Sequence, residues 1–208
     1  DVTDPEREET IEFVLEARVP DADAEDFVRE EEPIRVRRDQ HPMNLVLERG
    51  VGDACLGPMW DVGAVRIAFD AGIGATLPMR IGGKSCPLSG DPIDATCTVK
   101  ALRRDLMMDG LAGTKAKLGD CALVEIQGVE VVLTSIRCQA FGTDMFTQLG
   151  CNPASKRVVV VKSSQHFKAA YAPLASLILH VGAPGVVVHD VTTLGHSRIS
   201  RPKWPFDQ

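Results

Sequence analysis

From Met43 onward the apolar positions alternate between two periods. "MNLVLERG" carries an apolar face that Gly50 ends, "DACLGPMW" reads as a buried strand, and "DVGAVRIAFDAG" reads as a helix with Asp61 as its cap and Gly72 as its stop. "ATLPMRIGG" is a further strand. Strand, helix and strand in that order predict a β-α-β unit, and with it a parallel pair joined by a right-handed crossover. Residues 93–139 change to the two-residue period. "IDATCTVKAL" alternates, and "CALVEIQGVEVVLTS" holds two β-rich runs broken at Gln127-Gly128, a hairpin signal. Helix and strand then alternate again through "TDMFTQLG", "RVVVVKS", "SQHFKAAYAPLA" and "SLILHVGAPG". Four consecutive valines predict a strand covered on both faces, as strands of parallel sheets are. The whole pattern predicts an α/β fold: a layered, largely parallel sheet flanked by helices, with a β-hairpin-rich insertion around 93–139.

Residues 1–40 follow a different pattern, rich in acids and without glycine. Two short amphipathic helices are expected there, Pro5–Arg18 with Ile11, Val14 and Leu15 on one face, and Ala22–Glu30 capped by Asp21 or Asp23. This divides the chain into an acidic helical arm, 1–40, and an α/β domain, 41–208. The closing "RISRPKWPFDQ" is broken by prolines and reads as an extended tail.

Composition narrows the partners more than the fold. At 208 residues the chain is long enough for a real core, and 44% hydrophobic with 25% charged residues is an ordinary globular mixture. A net charge of -6 excludes a general binder of phosphate backbones, which needs a basic stripe, so nucleic acid is not an expected partner. The longest apolar run, around Ala172–Val181, is interrupted by Pro173, Ser176 and His180 and is shorter than the ~20 residues that span a bilayer. No basic-then-apolar leader opens the sequence. The expectation is a cytoplasmic protein away from membranes. Six cysteines, Cys55, Cys86, Cys97, Cys121, Cys138 and Cys151, are scattered singly without a CxxC pair, and read as reduced and structural.

Several motif fragments fail on inspection. "GGKS" at 82–85 ends like a phosphate loop, but Pro78 stands where that loop needs its first glycine, and "CPLSGDP" cannot open a helix. "GIGATL" puts Leu77 where a dinucleotide fingerprint needs glycine or alanine. Both read as turns at positive φ, although Lys84 in such a loop remains able to reach a ligand. The histidines His41, His166, His180, His189 and His196 show neither HxH nor HExxH spacing, so no metal site is expected within the chain.

The stretch "VVVVKSSQHFKAAYAP" stands out by position. A buried parallel strand ending at Val161 places Lys162, Ser163, Ser164 and His166 at its carboxyl end, where open α/β sheets bind ligands, and the helix that follows directs its positive end there. Such a corner favours an anion such as a carboxylate, and His166 in the first helical turn is able to donate or accept a proton. The competing reading makes Ser163 or Ser164 a plain helix cap and His166 a partner of a neighbouring loop. Arg137 and Gln139 in "TSIRCQAF" stand at another strand end, where arginine suits bidentate carboxylate recognition or an ordinary surface ion pair.

Together "ERGVGDACLGPMWDVGAV", "FDAGIGATLPMRIGGKS", "VVLTSIRCQAF", "LGCNPASKRVVVVKSSQHFKAAYAPLA" and "RPKWPFD" resemble the C-terminal domain of the microcystinase-C-like metallopeptidases, in the right order over most of 44–208. Residues 33–44, "PIRVRRDQHPMN", depart from the glycine-rich loop that the family has before its helix. The resemblance implies a two-domain zinc-dependent hydrolase of peptide or amide bonds whose zinc ligands and water activation belong to an N-terminal domain. The partners implied are that domain and a small peptide or amide substrate, with a homo-oligomer left open; no cofactor is expected on this chain alone. On this view His166 is the catalytic candidate, and Lys162, Ser163, Ser164, Arg137 and Lys84 are substrate-binding candidates. The alternative is a noncatalytic binding or assembly module.

Overall fold

A computed structural model describes residues 12–17, 46, 51–85, 89–163, 165–182 and 200. The elements are β1 (Glu12–Ala17), β2 (Ala54–Trp60), α1 (Val62–Ala71), β3 (Thr76–Ile81), β4 (Ile93–Asp109), β5 (Lys115–Ile126), β6 (Val129–Thr134), α2 (Asp144–Thr147), β7 (Val158–Val161), α3 (Lys168–Tyr171) and β8 (Leu177–Gly182). The strands form one eight-stranded sheet in the order β3-β4-β5-β6-β2-β7-β1-β8. The helix expected over Ala22–Glu30, most of "MNLVLERG", Cys86, Ser164, His41, His189, His196 and the closing tail lie outside the described residues.

The α/β class stands, with a sheet that is mixed. β2 pairs in parallel with β6 on one side and β7 on the other, while the remaining ladders are antiparallel. The parallel pair expected from β2-α1-β3 does not form. β3 lies at the far edge, antiparallel to β4 in the register Thr76↔Thr98 to Ile81↔Ile93. Chain-adjacent antiparallel pairing closes a shorter loop than a crossover does, and periodicity does not distinguish the two.

The hairpin region over 93–139 forms as expected. Gln127 and Gly128 both take positive φ, 51° and 84°, which is the backbone of a two-residue primed turn between β5 and β6. α1 also forms as read: the Asp61 side chain accepts from the Ala64 N–H at 2.9 Å, and the Gly72 N–H closes the other end on the Ala68 carbonyl.

Residues Glu12–Ala17 correct the expected helix over Pro5–Arg18. They form β1, inserted antiparallel between β7 and β8, with Val14 opposite Val161 and Leu15 opposite Val160. Phe13, Val14 and Leu15 are consecutive and fit either period. Two neighbouring strands with unpaired N–H and C=O groups settle the choice for the ladder.

The four valines of β7 are buried on both faces, as expected. Val158 and Val160 join Leu56, Leu133 and Val65 under α1, whereas Val159 and Val161 join Phe146, Phe167 and Tyr171 on the other face. The sheet thus sits between two apolar layers, which fixes where β2, β6 and β7 end.

Candidate functional site

β2, β6 and β7 run the same way, so the segments that leave them emerge at one end of the sheet. Asp61 follows β2, Ser135 to Phe141 follow β6, and Lys162 to His166 follow β7. Backbone bonds tie these exits together: the Lys162 N–H donates to the Gly57 carbonyl at 3.1 Å, the Ala140 N–H to the Lys162 carbonyl at 3.1 Å, and the Asp61 N–H to the Thr134 carbonyl at 3.0 Å. The two stretches singled out in the sequence, "TSIRCQAF" and "KSSQH", are therefore laid side by side.

His166 Nδ1 lies 2.8 Å from Gln139 Oε1, and its ring stacks on Phe141 with centroids 5.4 Å apart. A glutamine oxygen accepts, so Nδ1 carries a proton in this pairing. Both orienting contacts come from the β6 exit. Gln139 was visible beside Arg137 in the sequence, whereas Phe141 was not; the i, i+2 spacing of Gln139 and Phe141 is the only signal that hinted at a common direction.

Arg137 and Lys162 are close enough to feel each other. Burial first, and then the Arg137 guanidinium, lower the Lys162 pKa from its ordinary value. Part of the Lys162 side chain still reaches solvent, so the ammonium is crowded by protein but not sealed off. Among the described residues no carboxylate stands within ion-pair distance of either cation. Ser163 is 5% exposed and its Oγ has no hydrogen-bond partner; the buried Thr134 Oγ1, at the end of β6, has none either. Unsatisfied buried hydroxyls are rare, and these two stand at the ends of the strands that flank β2.

Two expectations about this corner are corrected. α3 begins at Lys168, spans four residues and has Phe167 at its N-cap, so His166 precedes the helix and Ser163 does not cap it. Four residues align too few peptide dipoles to direct a useful positive end at the strand exits. Positive charge at this corner comes from side chains.

Lys84 arrives from elsewhere. The loop after β3 turns through Gly82 and Gly83 at positive φ, 67° and 60°, and a Cβ at Gly83 would come within 2.2 Å of the Pro92 nitrogen. This shape returns the loop to Asp61, whose Oδ2 accepts from the Gly82 N–H at 3.0 Å and pairs with Lys84 Nζ at 2.6 Å. Asp61 thus joins α1 to the Gly-Gly-Lys loop, a role beyond the cap that the sequence indicated. Lys84 is committed to Asp61 and to the Arg80 carbonyl, unlike Lys162.

The five described cysteines are free, and burial pushes Cys97 up to about 11 and Cys121 up to about 12, which keeps them protonated at neutral pH. Among the described residues no three His, Cys, Asp or Glu side chains gather as a metal needs, and at the strand exits Asp61 and His166 are held by Lys84 and Gln139. The described residues do not fit a metal centre by themselves. No described helix is long and apolar enough to cross a membrane.

The fold and the corner define an α/β domain that gathers two cations, an oriented histidine and unsatisfied hydroxyls at the carboxyl ends of three parallel strands. The family described as "MlrC C-terminus" matches residues 39–198, and the chain belongs to it. Microcystinase C from Sphingomonas sp. is 32% identical over 169 residues, which are 79% of this chain and 32% of that protein. The crystal structure of a "Putative metallopeptidase" from Mesorhizobium sp. BNC1 superposes with a TM-score of 0.69 at 29% identity, covering 83% of this chain and 35% of that one. The chain therefore spans about a third of the length of these relatives.

Proposed function

We propose that this domain works as the C-terminal part of a zinc-dependent hydrolase of peptide or amide bonds, recognising an anionic group of the substrate in a cleft against the domain that carries the metal. One observation supports it above the others: Arg137 and Lys162 lie close together at the strand ends with no described carboxylate to neutralise them. Like charges repel, and a fold that keeps two together gains from an anion placed between them. Arg137 offers a planar fork for a carboxylate, Lys162 a point charge, and Ser163 a hydroxyl that lacks a partner. Ser164 adjoins them in sequence, and Lys84 supports the rim through Asp61.

His166 has the attributes of a positioned proton carrier. Gln139 and Phe141 fix its ring, and its second nitrogen is the one that would exchange a proton with a group in the cleft. The substrate is a small peptide or amide, by analogy with the names of the relatives. The same reading places the protein in the cytoplasm, in keeping with its free thiols.

The test uses the full-length two-domain protein loaded with zinc. His166→Ala is expected to lower kcat by roughly 100-fold or more, and Lys162→Ala or Arg137→Ala to raise KM for an anionic peptide while leaving a neutral one nearly unchanged. Unchanged kinetics in all three would overturn the reading in favour of a noncatalytic binding or assembly module.

A further inference from the structure

We propose that Trp60, Val62 and Ile136 form the surface on which the metal-carrying part of a full-length family protein docks, an inference that rests on the two-domain reading above. These three side chains are 38%, 44% and 43% exposed, and they sit at the same end of the sheet as the cations: Trp60 closes β2, Val62 opens α1, and Ile136 leaves β6. The other exposed large apolar side chains among the described residues, Ile67, Ile73 and Leu111, belong to the middle of α1, the turn beyond it and the β4–β5 connection.

The patch is held in shape. Trp60 Nε1 donates to the Ser135 carbonyl at 3.2 Å, which pins the indole against the segment that carries Ile136. Ile136 is seated over Gly119, where an added Cβ would come within 2.9 Å of its Cγ1. Fixed side chains lose little freedom on docking, and an aromatic anchor with aliphatic neighbours inside a charged rim is the usual composition of an interface centre. Charge adjoins these residues along the chain: Asp61, between Trp60 and Val62, pairs with the exposed Lys84, and the exposed Arg137 follows Ile136.

The occupant follows from length. The chain matches 32% of microcystinase C and 35% of the Mesorhizobium protein, so in such proteins about twice as much chain again has to meet this domain. A surface beside the unpaired cations lets one contact both hold the two parts together and close a cleft over Arg137 and Lys162.

The test is thiol labelling in single-cysteine substitutions, read peptide by peptide by mass spectrometry. Val62→Cys and Ile136→Cys are each compared between the full-length protein and the 208-residue chain, with Ile73→Cys, 67% exposed beyond the other end of α1, as the control. Labelling by a maleimide is expected to slow at least tenfold in the full-length protein at the first two positions and to stay the same at the control. Equal rates in both proteins would overturn the proposal. So would protection that appears in the 208-residue chain as its concentration rises, because the occupant would then be a second copy. The labelling does not depend on catalysis: protection alongside unchanged kinetics for His166→Ala, Lys162→Ala and Arg137→Ala leaves the surface standing and removes the reading above, and the reverse pair of results does the opposite.

Discussion

Along β3, β4 and β5 four basic residues sit against acids, Arg80 on Asp94, Lys100 on Glu125, Arg104 on Asp120 and Lys115 on Asp109, whereas at the exits of β6 and β7 Arg137 acts on Lys162 and neither has an acid partner among the described residues. The first set is spread along strands with solvent on one side. There a cross-strand partner is available to each long side chain, and the pairing contributes little to stability. The second set stands at strand exits that backbone bonds tie together, and among the described residues no carboxylate pairs with either cation. The difference separates charge that solvates a surface from charge kept for something outside the domain.

Asp61 stands at the border of these two regions, and breaking it should have the largest effect on the fold. Its carboxylate is buried, caps α1 at Ala64, holds the Gly82 N–H and pairs with Lys84. Asp61→Ala removes the cap, worth about 1 kcal/mol, and strands a charge-assisted partner worth about 1.5–3 more, so a loss of about 2–4 kcal/mol in urea unfolding is expected. Asp61→Asn keeps the cap acceptor and should lose less. If the two substitutions cost the same, the cap counts for little and the contribution lies in what Oδ2 holds, Lys84 and the Gly82 N–H.

The sequence made the layout of this border legible to different depths. Capping at Asp61 and Gly72, the turn at Gln127-Gly128 and the two-sided burial of β7 are local or follow from one period, and all are found in the structure. The position of β3 was not legible, because partner choice among strands depends on register across the sheet. β1 was misread for a related reason: an apolar triplet carries no period of its own, and β7 and β8 imposed theirs. At the corner, residue types pointed to Lys162, His166 and Arg137, and strand direction brought them together. Their local settings were out of reach, since the Gln139 bond, the Phe141 stack and the short α3 all depend on the path of the segment after β6.

A milder way to sharpen the contrast is to remove one of the unpaired cations. The Lys162 pKa is lowered on folding, so between that value and the ordinary lysine range the unfolded chain binds more protons than the folded one, and stability rises with pH there. Below the lowered value the penalty is fully present. Lys162→Gln should therefore stabilise the protein slightly at neutral pH, with the gain fading as the pH approaches the ordinary lysine value. Thermal unfolding of both proteins across that range measures it, and a destabilised variant at neutral pH would mean that Lys162 already has an acidic partner. An added carboxylate ligand should stabilise the parent protein more than the variant, because it removes the same repulsion.

The smallest effect belongs to the hairpin region. Arg80 donates to both oxygens of Asp94, at 2.8 and 2.6 Å, in a bidentate arrangement that looks strong. Both groups are well exposed, and water and salt screen what the geometry offers. A double-mutant cycle of Arg80→Ala and Asp94→Ala should show coupling near the scatter of repeated unfolding curves, disappearing in 1 M salt where the screening length is about 3 Å. Coupling that persisted at that salt concentration would place this pair with Asp61 and Lys84, and the boundary between the two treatments of charge would then lie outside β3 rather than at the loop that follows it.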